Sequence, residues 1–280
     1  MARVVVAAEA GACFGVERAL RMVRERAHKA MVPVHTLGPL IHNPLVVAEL
    51  RGEGVDVVKD PEEAAQGDVL FMRTHGVTPE TEKRARDCGL EVVDATCPFV
   101  KKVHKAVERL ADEGYQIVVV GEKGHPEVEG TLGHAPGAVV VGSTGDLEGL
   151  SLERRVGVVV QTTLAVQTLR EVVSGLVGRC EEIRLIDTIC DATSKRQAAA
   201  ATLATEADVM VVVGGKNSAN TTHLADICSK HCKRTYHVES ADELDVSMLG
   251  GAELIGITAG ASTPADHIET ARKRIESLVG

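Results

Sequence analysis

The chain reads Asp94-Ala95-Thr96-Cys97-Pro98-Phe99-Val100-Lys101-Lys102-Val103, in which a cysteine precedes a predicted amphipathic helix. Pro98 stands where the helix would begin, a position that tolerates proline because that N–H has no partner within the helix. The same layout occurs twice more, in Cys13-Phe14-Gly15-Val16-Glu17-Arg18-Ala19-Leu20 and Cys190-Asp191-Ala192-Thr193-Ser194-Lys195-Arg196-Gln197. This threefold repeat predicts three copies of one structural unit.

Valine-rich segments that read as buried strands alternate with helical patterns along the chain. The strand candidates include Val4–Ala8, Val69–Met72, Ile117–Val120, Val156–Val160, Val209–Val213 and Leu254–Thr258. Such alternation predicts parallel sheets with right-handed helical crossovers. We therefore predict an α/β fold of three pseudo-threefold-related domains with small, mostly parallel sheets. The predicted boundaries are 1–96 with Cys13, 97–189 with Cys97, and 190–280 with Cys190.

Each unit also carries two polar loops where a predicted strand passes into a helix. These loops contain Ile41–Pro44, Thr74–Glu80, Gly124–Gly130, Gln161–Leu164, Gly214–Thr222 and Ala259–Asp266. In open α/β sheets, ligands bind at such loops, outside the carboxyl ends of the strands. If the three units pack around a pseudo-threefold axis as a trefoil, all of these loops and the cysteines converge on one central cavity.

The composition limits the class of protein. The 280 residues are 44% hydrophobic and 25% charged, a balance typical of globular domains. The formal net charge of −9 argues against a nucleic-acid or anionic-membrane partner. No apolar run approaches the roughly 18 residues of a membrane-spanning helix, and the apolar start at Val4–Ala8 is too short for a signal peptide. We expect a cytoplasmic protein.

The three repeated cysteines are candidate iron ligands. The seven cysteines are an odd number without any Cys-x-x-Cys pair, which argues against a disulfide framework and a zinc ribbon. A helix N-terminus lowers a thiol pKa, and thiolates bind iron. Three convergent thiolates suit an iron–sulfur cubane that keeps one iron open. The alternative is three buried structural cysteines. We interpret the other four cysteines as structural. Cys228 and Cys232 lie near histidines in the sequence, but the order and spacing of these residues do not fit a zinc site well.

Polar residues of the predicted loops are candidate phosphate ligands. Helix N-termini that carry hydroxyl, amide and imidazole donors bind phosphate readily, and so a diphosphate needs no Lys or Arg. The alternative for each residue is a turn or capping role, and Lys216, the nearby cation, is interpreted as solvated. The candidates are His42, His75, His125, Ser218, Asn220 and Ser262.

Glu127 is the candidate acid. It follows His125-Pro126 in a Gly-bounded loop, and a neighbouring cluster and diphosphate would raise its pKa. The alternative for Glu127 is a plain carboxylate at a helix start, which Glu129 could equally be. Thr162 and Thr163 could relay protons or position water, and the alternative for one of the two is N-capping. No G-x-G-x-x-G after a strand and no Walker A motif occurs, and so any electrons must come from another protein.

These motifs resemble, in order and over nearly the whole chain, those of the 4-hydroxy-3-methylbut-2-enyl diphosphate reductase family of the methylerythritol phosphate pathway. The matching stretches are Gly11–Val16, His42-Asn43, Thr74–Val77, Asp94–Pro98, Gly124–Thr131, Gln161–Leu164, Ile189–Thr193, Lys216–Asn220 and Thr258–Pro264.

The resemblance implies a trefoil around an iron–sulfur cluster held by Cys13, Cys97 and Cys190. It implies a 4Fe-4S cluster, of which a 3Fe-4S form is isolated when the exposed iron is lost. It further implies reductive removal of an allylic hydroxyl, with electrons from ferredoxin or flavodoxin and protons via Glu127. Thr162 would place the water or hydroxyl, and the histidines named above, His125 included, with Thr163, Ser218, Asn220 and Ser262 would hold the diphosphate. We expect a monomer.

Two positions depart from the family pattern. Ala12 replaces the aromatic residue usual before the first cysteine, and Ala219 stands where many members have Ser. Neither change removes a predicted ligand or the acid. Two other classes stay open on the residues alone: a non-enzymatic iron–sulfur sensor, and a metal-free diphosphate-binding protein or hydrolase.

Overall fold

The computed structural model describes residues 2–280, which contain three four-stranded parallel sheets with helices between their strands. The chain separates into two compact units. The first unit contains the chain up to Glu17 together with Ile41–Glu49 and Asp191–Gly280, and the second contains Arg18–Leu40 and Leu50–Cys190.

The first unit is built on one sheet. Its strands are β1 (Arg3–Val6), β10 (Val209–Val213), β11 (Thr235–Val238) and β12 (Leu254–Ala259), in the order β1-β12-β10-β11. Its helices are α7 (Asp191–Glu206), α8 (Ala219–His231), α9 (Val246–Leu249) and α10 (Ala265–Val279). Every residue of β10 and β12 is buried, as expected for parallel strands that are covered on both faces.

The second unit contains two sheets of the same kind. One has the order β3-β2-β4-β5, from β2 (Val34–Leu37), β3 (Val55–Val58), β4 (Val69–Met72) and β5 (Glu91–Asp94). The other has the order β7-β6-β8-β9, from β6 (Gln116–Val120), β7 (Val139–Val141), β8 (Arg155–Val160) and β9 (Glu182–Leu185). The helices are α3 (Pro79–Asp87), α4 (Pro98–Asp112), α5 (Pro126–Leu132) and α6 (Val166–Leu176), while α1 (Phe14–Lys29) and α2 (Pro44–Gly52) begin in the first unit and end in the second.

Helix α4 illustrates how the sequence specifies these elements. Pro98 occupies the first turn, and buried side chains recur at helical spacing, as in Val100, Val103, Val107 and Leu110. The helix gives way to Gly114, which has φ +77°, a conformation that glycine adopts without steric cost. The buried face packs against β6 and β8 and so holds the start of the helix at the carboxyl end of the sheet.

The strand order is the same in all three sheets and explains the repeat. Each sheet has two central strands, and the chain is added outward from them in opposite directions across the sheet. These pairs of central strands are β2 and β4, β6 and β8, and β10 and β12. Ligands bind beside the carboxyl ends of strands at such a switch point. The remaining edge strands β5, β9 and β1 each lead into one of the repeated cysteines. The predicted α/β class with three small parallel sheets is therefore confirmed.

The N-terminal strand joins the sheet of the last segment. Strand β1 pairs with β12, with Arg3 opposite Leu254, and so the sheet that precedes Cys13 is completed by residues from both ends of the chain. The three-domain boundaries at 96/97 and 189/190 stay a prediction. Within residues 2–280, no helix is long and apolar enough to cross a membrane.

Candidate active site

The three repeated cysteines make one equivalent backbone contact. The N–H of Cys97 donates to the carbonyl oxygen of Thr74 (3.0 Å), and that of Cys190 donates to the carbonyl oxygen of Thr162 (2.9 Å). In the first unit, the N–H of Cys13 donates to the carbonyl oxygen of Ala261 (3.1 Å). Each acceptor follows a central strand of its sheet, β4, β8 or β12, so the same hydrogen bond ties each cysteine to a switch-point loop.

The cysteine surroundings suit metal-binding thiolates. Cys13, Cys97 and Cys190 are half-buried, take part in no disulfide, and each directly precedes a helix. A donor set of thiols alone fits an iron–sulfur cluster. Nowhere in residues 2–280 do three or more His, Cys, Asp or Glu side chains stand close enough to hold a metal ion. Burial also raises the pKa of Cys228 to about 12, consistent with a structural thiol.

Glu127 is buried against Thr162 in the second unit. The Thr162 N–H donates to Glu127 Oε1 (2.6 Å), and the Thr162 hydroxyl donates to Oε2 (2.8 Å). Glu127 lies in the first turn of α5, at the end of β6, whereas Thr162 follows β8. The two central strands of one sheet thus bring the candidate acid and the candidate relay residue together, at the loop whose carbonyl also binds Cys190.

The same burial changes the acidity of Glu127. Its side chain is only 3% exposed, and the loss of hydration raises its pKa from 4.5 to about 7. The two hydrogen bonds from Thr162 favour the charged form and oppose part of this rise. At neutral pH the carboxyl is therefore poised between its protonated and ionised forms, which is suitable for proton transfer.

The raised pKa predicts an effect on stability. The native state binds the Glu127 proton more tightly than the unfolded chain does. The contribution of this group to the free energy of unfolding is therefore fully present below pH 4.5 and is lost as pH rises through about 7. Glu127→Gln carries no charge, and its amide can keep both contacts because the Thr162 hydroxyl can turn to accept. We expect the variant to be more stable than the parent above pH 7, by at most about 3 kcal/mol. Urea unfolding at pH 5 and pH 8.5 measures this; an equal difference at both pH values contradicts it.

Of two candidate histidines, His125 contacts the Glu127 backbone and His75 contacts His125. His125 Nδ1 accepts a hydrogen bond from the Glu127 N–H (3.1 Å), so the neutral ring carries its proton on Nε2, where it is a donor. The His75 and His125 rings meet edge to face with centroids 5.7 Å apart. The structure therefore brings together His75, His125, Glu127 and Thr162 within the second unit.

Thr162 and Thr163 do not cap the following helix. Helix α6 begins at Val166 and its N-cap is Ala165, so the capping alternative does not describe either threonine. The Thr163 hydroxyl instead accepts from Gln161 Nε2 (3.1 Å), while Gln161 Oε1 accepts from the Glu122 N–H (2.9 Å). Gln161, which is fully buried, thus fixes the loop that carries both hydroxyls.

Three loops meet around His42 in the first unit. The Ser262 hydroxyl donates to the His42 carbonyl oxygen (3.0 Å), and Asn43 Nδ2 donates to the Ser262 carbonyl oxygen (2.9 Å). Gly215 approaches so closely that a Cβ there would lie 2.8 Å from the His42 oxygen. The loops after β10 and β12 are thereby fixed against the start of α2.

Ser218 and Asn220 lie at the start of α8. The Ser218 hydroxyl caps the helix by accepting from the Thr221 N–H (3.4 Å), as the capping alternative expects. Asn220 is only 6% exposed, and its Nδ2 has no hydrogen-bond partner among residues 2–280. A buried amide donor without a partner costs about 1–3 kcal/mol, so a ligand that offers an acceptor oxygen would restore the lost hydrogen bond.

Asn43 and Arg73 add to the candidates selected from sequence, whereas Lys216 matches its interpretation. Asn43, which the sequence analysis quoted but did not select, is 2% exposed and also caps α2 by accepting from the Leu45 N–H (3.1 Å). Arg73, a half-buried cation two residues before His75, was not selected from sequence. Lys216 is exposed and paired with Glu243 (2.6 Å), as its interpretation as a solvated residue predicted.

Comparison with known proteins identifies the family. A model of the LytB protein family matches residues 4–276. The chain is 50% identical over 276 residues to the 4-hydroxy-3-methylbut-2-enyl diphosphate reductase of Geobacter sulfurreducens, covering 98% of this chain and 97% of the relative. It is 44% identical over 282 residues to the protein of the same name from Aquifex aeolicus, covering 99% and 97%.

Solved structures agree. One, an (E)-4-hydroxy-3-methyl-but-2-enyl diphosphate reductase described as the terminal enzyme of the non-mevalonate pathway, matches with a TM-score of 0.75 and 44% identity, over 99% of this chain and all of that one. Another, the E-1-hydroxy-2-methyl-but-2-enyl-4-diphosphate reductase from Plasmodium falciparum, matches with a TM-score of 0.93 and 30% identity, over 99% and 88%. The chain therefore belongs to the LytB family of 4-hydroxy-3-methylbut-2-enyl diphosphate reductases, and it is an oxidoreductase.

Proposed function

We propose that this enzyme removes the allylic hydroxyl of 4-hydroxy-3-methylbut-2-enyl diphosphate and releases isopentenyl and dimethylallyl diphosphates. The C–O bond breaks, two electrons and one proton complete the allylic carbon skeleton, and a second proton converts the departing hydroxide into water. The observation that carries the proposal is the buried Glu127 carboxyl, whose pKa of about 7 suits donation of that proton.

Thr162 has a positioning part in this proposal. Its N–H and hydroxyl bind the two carboxyl oxygens of Glu127, and this geometry fixes the direction in which the acid can present its proton. When Glu127 has given up its proton, the same two donors stabilise the carboxylate. The Thr162 hydroxyl oxygen can meanwhile accept a hydrogen bond from the water or hydroxyl that leaves the substrate.

The residues that would hold the cofactor are Cys13, Cys97 and Cys190. Their equivalent places before three helices and the all-thiol donor set support a 4Fe-4S cluster, with a 3Fe-4S form after loss of the iron that has no protein ligand. When bound, the cluster supplies the two electrons of the reaction. We propose that the electrons come from another protein, because the chain has no nicotinamide-binding fingerprint, and the family resemblance points to ferredoxin or flavodoxin as that donor.

The diphosphate would be held by neutral donors at the switch-point loops. The buried, unpartnered Nδ2 of Asn220 supports this, because it can donate a hydrogen bond to a phosphate oxygen. Arg73 adds a positive charge near His75. The proposed set is His42, His75, His125, Thr163, Ser218, Asn220 and Ser262. We further propose a monomer that works in the cytoplasm and binds neither membrane nor nucleic acid.

Anaerobic purification with iron and sulfide analysis tests the proposal. We expect a brown protein whose visible spectrum changes on addition of the allylic diphosphate and which reduces that substrate when an artificial reductant is supplied. A coloured protein that neither binds nor reduces the diphosphate would favour an iron–sulfur sensor. A colourless protein that cannot be reconstituted with iron and sulfide would contradict the reductase function.

Asn220→Asp is expected to weaken diphosphate binding. The new carboxylate keeps the size of the amide but removes the N–H donor and repels the phosphate charge. We expect about a tenfold or larger loss of affinity, since each charge-assisted hydrogen bond contributes about 1.5–3 kcal/mol. Calorimetric titration with inorganic diphosphate measures it, with the exposed Asn217→Asp as a control of equal charge change. Equal losses in both variants would mean that the buried amide has no specific part.

A further inference from the structure

Gly76, next to the candidate ligand His75, is enclosed by three other groups of the second unit. A Cβ at this position would lie only 2.7 Å from His104 Cε1. From the opposite element, a Cβ on Gly130 would lie 3.4 Å from the Gly76 carbonyl carbon. Arg73 Nε donates a long hydrogen bond to the Gly76 carbonyl oxygen (3.4 Å). Gly76 also has φ +75°, so both its backbone and its neighbours require glycine.

The elements that meet at Gly76 each carry a candidate functional residue. His104 belongs to α4, which begins directly after Cys97, and Gly130 belongs to α5, whose first turn contains Glu127. Helix α5 continues along the same loop, because a Cβ on Gly133 would lie 2.5 Å from Thr78 Cβ. We name the contact of Gly76 with His104 and Gly130 the Gly76 clamp.

His104 acts in this clamp through the shape of its ring. It is 7% exposed and stacks on His134, with ring centroids 4.0 Å apart and an angle of 23° between the planes. His134 is in turn anchored by a hydrogen bond between its Nδ1 and Glu108 Oε1 (2.7 Å). Burial lowers the pKa of His104 to about 4, so the ring is neutral, and its Nε2 has no hydrogen-bond partner within residues 2–280.

We propose that His104 is a positioning residue, which packs on Gly76 and so sets the place of His75 relative to Glu127. The inference rests on the proposed function, since it assigns to His75 the binding of the diphosphate. The physical reason is that a close-packed contact transmits displacement: removing the ring leaves space into which the loop can move. The loop that binds substrate would shift, whereas the Glu127–Thr162 pair keeps its own two hydrogen bonds.

His104→Ala in the cluster-containing enzyme tests this role. We expect about a tenfold weaker affinity for inorganic diphosphate and a matching rise in KM, because a small misplacement of a binding group is costly, with kcat changed by less than about threefold. His104→Gln, which keeps a flat group of similar reach, should recover most of the affinity. The exposed neighbour Lys105→Ala is the control on the same helix.

Gly130→Ala approaches the clamp from the other side. Its added methyl group would lie 3.4–3.5 Å from the Gly76 and Val77 backbone, which is an ordinary van der Waals contact, and alanine favours the helix. We therefore expect less than about a threefold loss of diphosphate affinity, clearly smaller than for His104→Ala, with the cluster spectrum unchanged. His104→Asn, which shortens the side chain, takes the place of His104→Ala if that variant does not fold. If the folded His104 variant binds diphosphate as the parent does or loses only kcat, or if Gly130→Ala loses as much affinity, the positioning role is wrong. If the parent itself binds no diphosphate, the proposed phosphate site fails, and this inference fails with it.

Discussion

Glu127→Gln is expected to retain its iron and sulfide, bind the substrate, and lose most of its turnover. The glutamine amide fills the same buried space and can keep both contacts with Thr162, but it has no acidic proton to give to the departing hydroxide. General acid catalysis contributes about 10²–10⁴-fold, and we expect a loss of that size in kcat. Single-turnover kinetics with pre-reduced enzyme separate this step from electron delivery.

Glu129→Gln is the matched control for this change. Glu129 lies two residues further along the same helix, but it is exposed and accepts only a long hydrogen bond from the Gly124 N–H (3.3 Å). We expect its turnover to stay within about twofold of the parent, as is usual for exposed positions. Near-normal turnover of Glu127→Gln, or an equal loss in both variants, would remove Glu127 from the proposed proton transfer.

Cys97→Ser is expected to abolish the brown colour and to lower the activity by at least about a hundredfold. A serine hydroxyl ionises far less readily than a thiol and is a poor ligand for the soft iron–sulfur cluster. The backbone contact of residue 97 with Thr74 does not involve the side chain, so the loop should keep its place. Iron content and the visible spectrum after anaerobic purification measure the loss.

Cys88→Ser provides the comparison for the cysteine change. Cys88 is also half-buried, but it follows the end of α3 and belongs to none of the three repeats. We expect this variant to keep full colour and turnover. A fully coloured Cys97→Ser enzyme would contradict the proposed ligation, and loss of colour in both variants would point to general instability instead.

Local pattern predicted the fold class well. Buried parallel strands read as continuous runs of Val, Leu and Ile, and all of the strand candidates overlap strands in the structure, as with Val209–Val213 and β10. The cysteine-to-helix layout was also readable, because Pro98 and the apolar spacing of α4 are properties of adjacent residues. The loops that follow the strands carried the polar residues, so candidate positions for the site were available from order along the chain.

Pairing between distant strands was not readable in the same way. The partner of β1 is β12, at the other end of the chain, because the edge strand of a sheet is chosen by the path of the chain and not by its own composition. The capping alternative for Thr162 or Thr163 was wrong for a similar reason: the following helix begins only at Val166, and the Thr162 hydroxyl binds a carboxyl from helix α5.

The sequence by itself determined which residues stand at strand ends and helix starts, since turn, cap and periodicity signals act over a few residues. The family resemblance rested on the same local motifs, and the comparisons bear it out. Only the tertiary structure decided which of these residues have a shifted pKa and which hold another residue in place. The raised pKa of Glu127, the bracing of Ser262 by Asn43 and the packing of His104 on Gly76 all depend on burial by residues far away in the chain, and burial exists only once the sheets have formed.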